Sequence, residues 1–272
     1  MSAAGGPVTP AWLALREPAD AVARSAELAE QLRRHLPAAA PLVIHDLGGG
    51  SGAMGRWLAP RLAGPQHWVV HDRDAGLLER ALAAPPGPAA DGASVTVEAR
   101  RTDITRLRPG DLVGASAVVA SALLDVLTAD DLAAMLATCL GWCPMLLALT
   151  VIGRVELTPA EPLDAELAAA FDAHQRRATT EGRLLGPDAV AAAVAHLRGT
   201  GAELVVRPSP WHLDARHAGL ARAWLDGWVA AACAQEPALA ARAGAYRERR
   251  LGQAAAGALT VTVHHADLLV LP

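Results

Sequence analysis

The stretch Leu42–Asp74 constrains the fold of this 272-residue chain more than any other part of it. An apolar run, Leu42–Ile44, leads into Asp46. A helix-like segment at 53–62 then separates this run from a second one, Trp68–Val70. The turn before the helix-like segment contains Gly48, Gly50 and Gly52. A strand, a glycine turn, a helix and a second strand in this order predict the repeating unit of a parallel α/β sheet.

The same stretch predicts a ligand site. Glycines in such a turn allow backbone N–H groups to approach a ligand, and an acid at the end of the second strand can bind ribose hydroxyls. Asp72 stands at that strand end. We therefore expect a cofactor that contains a nucleoside, and the spacing of the glycines distinguishes two classes of such cofactors.

The glycines can be aligned in two registers. The pattern G-x-G-x-x-G at 50–55 matches a dinucleotide site, and Asp72 follows at about the expected 20 residues. Its first glycine lies four residues after Asp46, however, and a carboxylate there would repel a pyrophosphate. The pattern D-x-G-x-G-x-G at 46–52 resembles motif I of the class I S-adenosylmethionine (SAM) methyltransferases. SAM has no phosphate and carries an ammonium and a sulfonium group, which suit an acid at that position.

Two later segments extend this resemblance. HDRDAGLLERA at 71–81 is similar to the second motif of the family, which implies that Asp72 binds the ribose, with Arg73 beside it in the site. RRTDITRL at 100–107 is similar to the third motif. That similarity implies that Asp103 reaches the adenine amino group and that Ile104 packs on the adenine ring.

The fourth motif of the family resembles SAVVASALLDVL at 116–127, the end of the central strand, where methyl acceptors usually dock. Ser121 stands here in place of the aspartate or asparagine that is common in the family, and we include it among the cofactor-binding residues. The resemblance covers roughly Pro41–Ile152.

The remaining pattern predicts a doubly wound α/β fold. Strand-like runs near 42–46, 67–71, 95–99, 117–121 and 145–151 alternate with helical patterns near 53–62, 75–84 and 129–140. Further strands are predicted at 201–213 and 260–271. The resemblance implies a mostly parallel sheet of seven strands whose last strand is antiparallel and at the edge.

Two flanking segments complete the predicted organisation. A single amphipathic helix over Trp12–Leu36, followed by the link Pro37–Pro41, makes residues 1–40 an N-terminal helical lid. Residues 41–272 form the methyltransferase domain. A helical insertion at about 214–256 is expected to cover the substrate face.

Composition excludes several classes of protein. A net charge of −4 argues against a dedicated nucleic-acid-binding protein, which would carry a basic face. No apolar stretch approaches the roughly 18 residues that cross a bilayer, and the N-terminal sequence lacks the pattern of a secretory signal. Three cysteines are too few for a disulfide framework and lack the partners of a zinc site. We expect reduced thiols, no metal and a cytoplasmic monomer or homodimer.

Three residues are predicted to act on the methyl acceptor. Asp125 follows the fourth strand, where open α/β sheets bind ligands. His174 follows strand five and His212 lies near the end of strand six, and the pKa of a histidine suits removal of a proton at neutral pH. The alternatives are a helix-start acid and two histidines with only structural roles. His264 and His265 should point to opposite faces of the last strand, so they cannot bind one metal ion together.

Charges on the first predicted helix allow two interpretations. Arg16, Asp20 and Arg24 recur every four residues, a spacing typical of a solvent-exposed face with weak ion pairs. Alternatively, Arg16 or Arg24 binds the SAM carboxylate from a lid helix that Trp12 helps to close. We include Arg16 in the predicted cofactor site.

The function predicted from these patterns is transfer of a methyl group from SAM to an oxygen or nitrogen of a small molecule by in-line displacement, with S-adenosylhomocysteine (SAH) as product. Alignment of the reactants supplies several kcal/mol of the roughly 7–11 kcal/mol available from positioning, so no strong catalytic motif is required. The chain has one tyrosine and one phenylalanine, which favours a polar or conjugated acceptor over a methyl-lysine-like cation. An NAD(P)-dependent oxidoreductase and a non-catalytic SAM-binding module remain as alternatives.

Overall fold

The computed structural model describes residues 8–37 and 41–272, so residues 38–40 of the predicted link and the first seven residues lie outside the description. Its strands are β1 Leu42–Leu47, β2 Gln66–Asp72, β3 Val95–Arg101, β4 Ala117–Ser121, β5 Met145–Thr158, β6 Ala178–Thr179, β7 Gly182–Arg183, β8 Glu203–Pro208, β9 Trp211–Leu213 and β10 Thr260–Leu271. Its α-helices are α1 Pro10–Ala23, α2 Ala26–His35, α3 Ala53–Leu58, α4 Ala75–Ala83, α5 Ala129–Cys139, α6 Leu163–Gln175, α7 Ala189–Leu197, α8 Ala218–Gln235 and α9 Ala240–Ala255.

The main sheet has the order β3-β2-β1-β4-β5-β10-β8 within the described residues, with β9 paired to β10 beside this path. The strands β1 to β5 run parallel to their neighbours, whereas β10 is antiparallel to both β5 and β8. The predicted doubly wound sheet of seven strands with an antiparallel last strand is therefore confirmed. The short strands β6 and β7 form a separate hairpin.

Helices cover the sheet on both faces, as the apolar runs of the central strands require. Along β4, Ala117 and Val119 pack with α2 and α3, whereas Val118 and Ala120 pack with α5 and α7. Each face therefore has its own apolar cluster, and α2 belongs to one of these two clusters.

A third apolar cluster lies beyond one end of the sheet. The strands β5 and β10 continue there as a long antiparallel pair, with Thr260 opposite Thr158 and Val263 opposite Val155. The helices α6, α8 and α9 pack around this extension, and the rings of Trp224 and Trp228 stack one turn apart on α8 with centroids 5.2 Å apart. This cluster gives the segment 214–256 a core that is separate from the two faces of the sheet.

The predicted single helix over 12–36 is wrong, because the chain breaks it at Arg24 and Ser25. The Ser25 hydroxyl caps α2 by accepting from Leu28 N at 3.2 Å, and Ser25 N donates to Asp267 Oδ2 at 2.7 Å. A helical amide would have donated to a carbonyl four residues earlier. The contact with β10, far along the chain, therefore favours two helices.

Two strand predictions also need correction. The last strand is not at the edge, since β10 lies between β5 and β8. Its near-continuous apolar end, Leu268–Leu271, is buried on both faces, which is typical of an internal strand. The segment predicted as one strand at 201–213 forms two, β8 and β9, which are separated by Ser209 and Pro210. No helix of the described residues is long and apolar enough to cross a membrane.

Candidate active site

A cleft of about 470 Å³ opens at the carboxyl ends of β1, β2 and β4, where parallel α/β sheets bind ligands. The glycine turn after β1 forms part of its wall. Two elements face it from outside the sheet: α1 through Leu13 and Arg16, and the β6–β7 hairpin through Thr179 and Glu181. The volume lies in the range of about 300–1,000 Å³ that is common for small-molecule sites.

The glycine turn brings the backbone close to its neighbours. Gly48 has a φ of 62°, and a Cβ built on it would lie 2.9 Å from the side chain of Leu123. Gly50 lines the cleft and donates its N–H to Asp72 Oδ2 at 2.9 Å. Gly52, the third predicted cofactor-binding glycine, does not line the cleft, because it begins α3 and packs against Ala81. The turn thus presents Gly48 and Gly50 to a ligand and uses Gly52 for packing.

Asp46 lies at the base of the cleft with no exposed surface. Neither of its carboxylate oxygens has a hydrogen-bond partner among the described residues. Burial raises the pKa of Asp46 to about 7, and the positive charge of Arg24 opposes part of that rise. A buried carboxyl group without a partner is costly unless a ligand supplies one.

Arg24 faces the same cleft from the end of α1 and is 4% exposed. Its Nη2 donates to Ser121 Oγ at 3.1 Å, while Nε and Nη1 have no hydrogen-bond partner among the described residues. Burial, opposed by the charge of Asp20, lowers the pKa of the Arg24 side chain. The cleft therefore contains both a carboxylate and a guanidinium whose polar atoms are incompletely satisfied.

The expectation of a solvent-exposed charged face on α1 is wrong. Arg16, Asp20 and Arg24 are all buried. Arg16 Nε donates to Asp20 Oδ2 at 2.9 Å, and Trp211 Nε1 donates to Asp20 Oδ1 at 2.9 Å. The helical spacing correctly put the three side chains on one face, but that face turns toward the cleft and the helical cover because β9 and α8 pack against it.

The predicted nucleoside-binding residues also line the cleft. Asp72 accepts from Gly50 N through one oxygen and from Asp74 N through the other, each at 2.9 Å. Asp103 accepts from Thr105 N and Oγ1, and Ile104 lies next to it in the wall. Arg73 lines the outer part of the cleft, and Ser121 lies at the end of β4.

A smaller cavity of about 80 Å³ adjoins the cleft. Arg16, Ala122, Val126 and Arg177 line both of them, so the two spaces share one wall. Asp125 and His174, predicted to serve the methyl acceptor, line the smaller cavity. The structure does not bring His212 there: its side chain is exposed on β9, with Nδ1 3.3 Å from Thr262 Oγ1.

The backbone is strained beside this shared wall. Among the described residues, the only non-glycine residues with positive φ are Ala122, at 53°, and Leu149, at 57°. Both line the smaller cavity. Leu149 N donates to Asp267 Oδ1 at 2.8 Å, which holds the residue in this conformation. Backbone strain of this kind is concentrated at functional sites.

Sequence reasoning missed several residues of the smaller cavity. His264 and His265 both line it: the His264 ring lies near Glu156 of β5, whereas the His265 ring packs against Trp211 of β9. Asp172 lines it from α6, two residues before His174. It belongs to no recognisable sequence motif, so nothing in the sequence pointed to it. In the described part of the chain, no group of three or more His, Cys, Asp or Glu residues is arranged to hold a metal ion.

The order of the sheet, with an antiparallel strand inserted next to the edge strand, decides the fold. This strand order is typical of the Rossmann-like methyltransferase fold. No model of a known protein family matches the chain, and no curated protein is similar to it in sequence.

Solved structures similar to this chain include class I SAM-dependent methyltransferases over nearly its whole length. The cyclopropane synthase MmaA2 from Mycobacterium tuberculosis is 13% identical, with 97% of this chain and 95% of that one covered and a TM-score of 0.49. A SAM-dependent methyltransferase from Thiobacillus denitrificans in complex with SAH is 14% identical, with 98% and 99% covered and a TM-score of 0.47. One from Geobacter sulfurreducens with SAH is 15% identical, with 97% and 98% covered and a TM-score of 0.45. At such identities a shared fold does not fix the activity, which depends on the side chains of the site.

Proposed function

We propose that this chain is a SAM-dependent methyltransferase that acts on a small molecule. The observation that carries the proposal is the pair Asp46 and Arg24. They are buried in one cleft, their charges influence each other's pKa, and neither has a full set of hydrogen bonds within the described residues. A ligand with an ammonium and a carboxylate group, such as the amino-acid end of SAM, would satisfy both.

The rest of the cleft fits the nucleoside end of the same cofactor. Asp72 lies at the end of β2, where an acid can accept hydrogen bonds from ribose hydroxyls. Asp103 and Ile104 lie farther along the wall, where they would contact the adenine amino group and ring. We propose Arg16 as a secondary contact, because its guanidinium is already paired with Asp20.

The same features argue against a dinucleotide cofactor. A pyrophosphate needs N–H groups at a helix N-terminus and no carboxylate beside them. The helix after the glycine turn, α3, has only six residues, and a Cβ built on Gly49 would lie 2.6 Å from Asp46 Oδ2. A diphosphate placed at this turn would therefore meet the Asp46 carboxylate.

The adjoining cavity supports catalysis rather than binding of SAM alone. An acceptor in the smaller cavity would lie next to a cofactor in the cleft because the two spaces share one wall, and polar side chains line that cavity. The chemistry that bound SAM would supply is transfer of the methyl group of its sulfonium: the methyl carbon bonds to a lone pair of the acceptor, and the electron pair of the broken C–S bond stays on sulfur, which gives SAH.

His174 is the base that we propose for removing a proton from the acceptor. Its Nε2 is buried without a hydrogen-bond partner in the described chain, and burial, together with the charge of Arg177, lowers the pKa of its ring. The imidazole is therefore neutral at pH 7 and able to accept a proton. Asp125, at the same cavity, would orient the acceptor. We also propose that α1 acts as the lid over both spaces.

Calorimetric titration of the purified protein with SAM, SAH and NAD tests the cofactor. We expect micromolar binding of SAM and SAH and no binding of NAD. Asp72→Ala should weaken the binding of SAH at least tenfold, while the exposed Asp130→Ala should leave it unchanged. Binding of NAD alone would assign the chain to the oxidoreductases.

A further inference from the structure

Polar atoms without partners are concentrated around the smaller cavity. In the described part of the chain, Trp12 Nε1, His174 Nε2, Gln175 Oε1 and His265 Nδ1 are buried and form no hydrogen bond. All four side chains line this cavity, and His265 is only 3% exposed. A buried polar atom without a partner destabilises the folded protein unless a ligand or water supplies one. The cavity is therefore built to receive a molecule that forms hydrogen bonds.

Two carboxylates of the cavity also lack partners. Neither Asp125 nor Asp172 forms a hydrogen bond or an ion pair through its carboxylate with any residue in 8–37 or 41–272. Asp172 lies against Gly153, where a Cβ would be 2.7 Å from its Oδ2. Burial raises the pKa of Asp172 to about 6, so the group remains ionised at pH 8.

The guanidinium groups of the cavity do not neutralise these carboxylates. Arg16 pairs with Asp20 at 2.9 Å, and Arg154 Nε donates to Glu156 Oε1 at 2.8 Å. Arg177 donates to the backbone carbonyl of His174 at 3.1 Å. Arg16 and Arg154 thus have carboxylate partners other than Asp125 and Asp172.

Most of the remaining polar groups act as hydrogen-bond acceptors. Burial lowers the pKa of both His174 and His265, and that of His265 falls to about 3, so both rings are neutral and each has one nitrogen lone pair. Gln175 Oε1 is a further acceptor. The lining therefore favours a ligand with a positive charge and several N–H donors, and it opposes a carboxylate or a phosphate.

Aromatic rings complete the wall. Trp12, Trp211, Trp224 and Phe171 line the cavity, and the Arg16 guanidinium already lies 5.0 Å from the ring centre of Trp211 and 5.9 Å from that of Trp12. Faces of aromatic rings attract cations at such distances. The low number of Tyr and Phe residues favoured a polar or conjugated acceptor over a methyl-lysine-like cation, but three tryptophans from three separate elements line this one space.

We propose that the methyl acceptor is a small organic amine that binds in its ammonium form. The inference rests on the proposed methyltransferase function. Asp125 and Asp172 balance the charge of the ammonium, and Gln175 Oε1 accepts one of its N–H groups. His174 Nε2 takes one proton from the ammonium, which frees the nitrogen lone pair for methylation. The acceptor nitrogen thus binds as a cation and reacts as a neutral amine.

Three probes of one size test this assignment without measuring activity: benzylamine, benzyl alcohol and benzoate. Each is titrated calorimetrically at pH 8 into the full-length protein saturated with SAH. We expect benzylamine to bind with a dissociation constant at least tenfold lower than that of benzyl alcohol, and benzoate not to bind. Asp125→Asn and Asp172→Asn should each weaken the binding of benzylamine at least fivefold and change that of benzyl alcohol less than twofold.

The controls separate this inference from the proposed function. Asp130→Asn removes an exposed carboxylate on α5 and should change none of the three dissociation constants. Unchanged SAH binding in every variant shows that the protein is folded and that the cofactor site is intact. Equal or tighter binding of benzyl alcohol or benzoate, or no binding of benzylamine to the SAH complex, would overturn the amine assignment. Failure of SAH itself to bind would instead overturn the methyltransferase function.

Discussion

At the scale of single residues, the cofactor cleft depends on Asp46 and Arg24, which are held apart although their charges are opposite. Both are buried, and each shifts the pKa of the other toward the ionised form. No hydrogen bond joins them, since Arg24 donates to Ser121 and the Asp46 oxygens have no partner in the described chain. The space between them suits a zwitterion, which would satisfy both charges in one binding event.

The raised pKa of Asp46, about 7, predicts that binding of SAH depends on pH. At pH 8 the carboxylate is ionised and attracts the SAH ammonium, whereas at pH 6 it is mostly protonated. The two pH values lie one unit above and one unit below the pKa, so the ionised fraction of Asp46 falls about tenfold between them. We expect the affinity for SAH to fall by the same factor from pH 8 to pH 6. Asp46→Asn should weaken binding at pH 8 and remove most of this slope, while Asp72→Asn should weaken binding and keep the slope. A flat profile for the unmodified protein, measured by calorimetry, would contradict the role of Asp46.

Arg24→Gln tests the other half of the pair. We expect this change to weaken binding of SAH at least tenfold, because the carboxylate of the ligand loses its charged partner. Binding of 5′-methylthioadenosine, which lacks the amino-acid end, should change less than twofold. Arg34→Gln alters an exposed arginine of α2 and should affect neither ligand. If the two ligands lost affinity equally in Arg24→Gln, the residue would hold the fold of the cleft and not the carboxylate.

At the scale of elements, local patterns predicted β1, the glycine turn and β2 to within a few residues because their signals are local. Apolar runs, turn glycines and strand-end acids lie within one short stretch of sequence. The break between α1 and α2 was not predictable in this way, since it depends on Asp267 of β10. The burial of Arg16 and Asp20 depends likewise on Trp211 of β9. The cleft residues after the strands could be predicted from motifs, whereas most of the acceptor cavity required the packing of distant elements.

Asp267 joins the α1–α2 junction to the end of the parallel part of β5. Its carboxylate accepts from Ser25 N and Leu149 N at 2.7 and 2.8 Å. Asp267→Ala leaves the buried Leu149 amide and the half-buried Ser25 amide unpaired, and an unpaired buried group costs about 1–3 kcal/mol, so we expect the free energy of unfolding to fall by about 3 kcal/mol. Because Arg24 precedes Ser25, binding of SAH should weaken at least fivefold. Urea denaturation and calorimetry measure the two effects, with Asp130→Ala as the matched surface control, and a loss of stability with unchanged binding would rule out the link to Arg24.

At the scale of the whole molecule, a buried contact between two histidines affects the stability of the central sheet. His45 and His71 precede Asp46 and Asp72 in β1 and β2, and strand alternation turns their side chains to the opposite face of the sheet. His45 Nδ1 lies 2.9 Å from His71 Nε2, and the rings stack with centroids 5.1 Å apart. Burial lowers the pKa of each to about 4. The folded state therefore requires both rings to be neutral.

This pair predicts a loss of stability in acid. The folded pKa values lie below the unfolded value of about 6.5, so the stabilisation is complete above pH 6.5 and is lost as the pH falls toward 4. Asp46 has a raised pKa and acts in the opposite direction, so the pair must be isolated by substitution. We expect the double variant His45→Phe and His71→Phe to lose about 5 kcal/mol less than the unmodified protein between pH 6.5 and 4, the value of about two pKa units for each of the two rings. Urea denaturation across this range measures both, and parallel pH profiles would exclude the pair as the cause.

The position of β10 between β5 and β8 sets an order of events during synthesis of the chain. Both of its neighbours leave the ribosome before it does. They cannot take their final places in the sheet until residues 260–271 lie between them. The same strand carries Asp267 for the α1–α2 junction and His265 for the acceptor cavity. A nascent chain with every predicted cofactor-binding residue already made therefore still lacks the contacts that complete both spaces. The two sites are finished together, by the strand that is made last among those of the sheet.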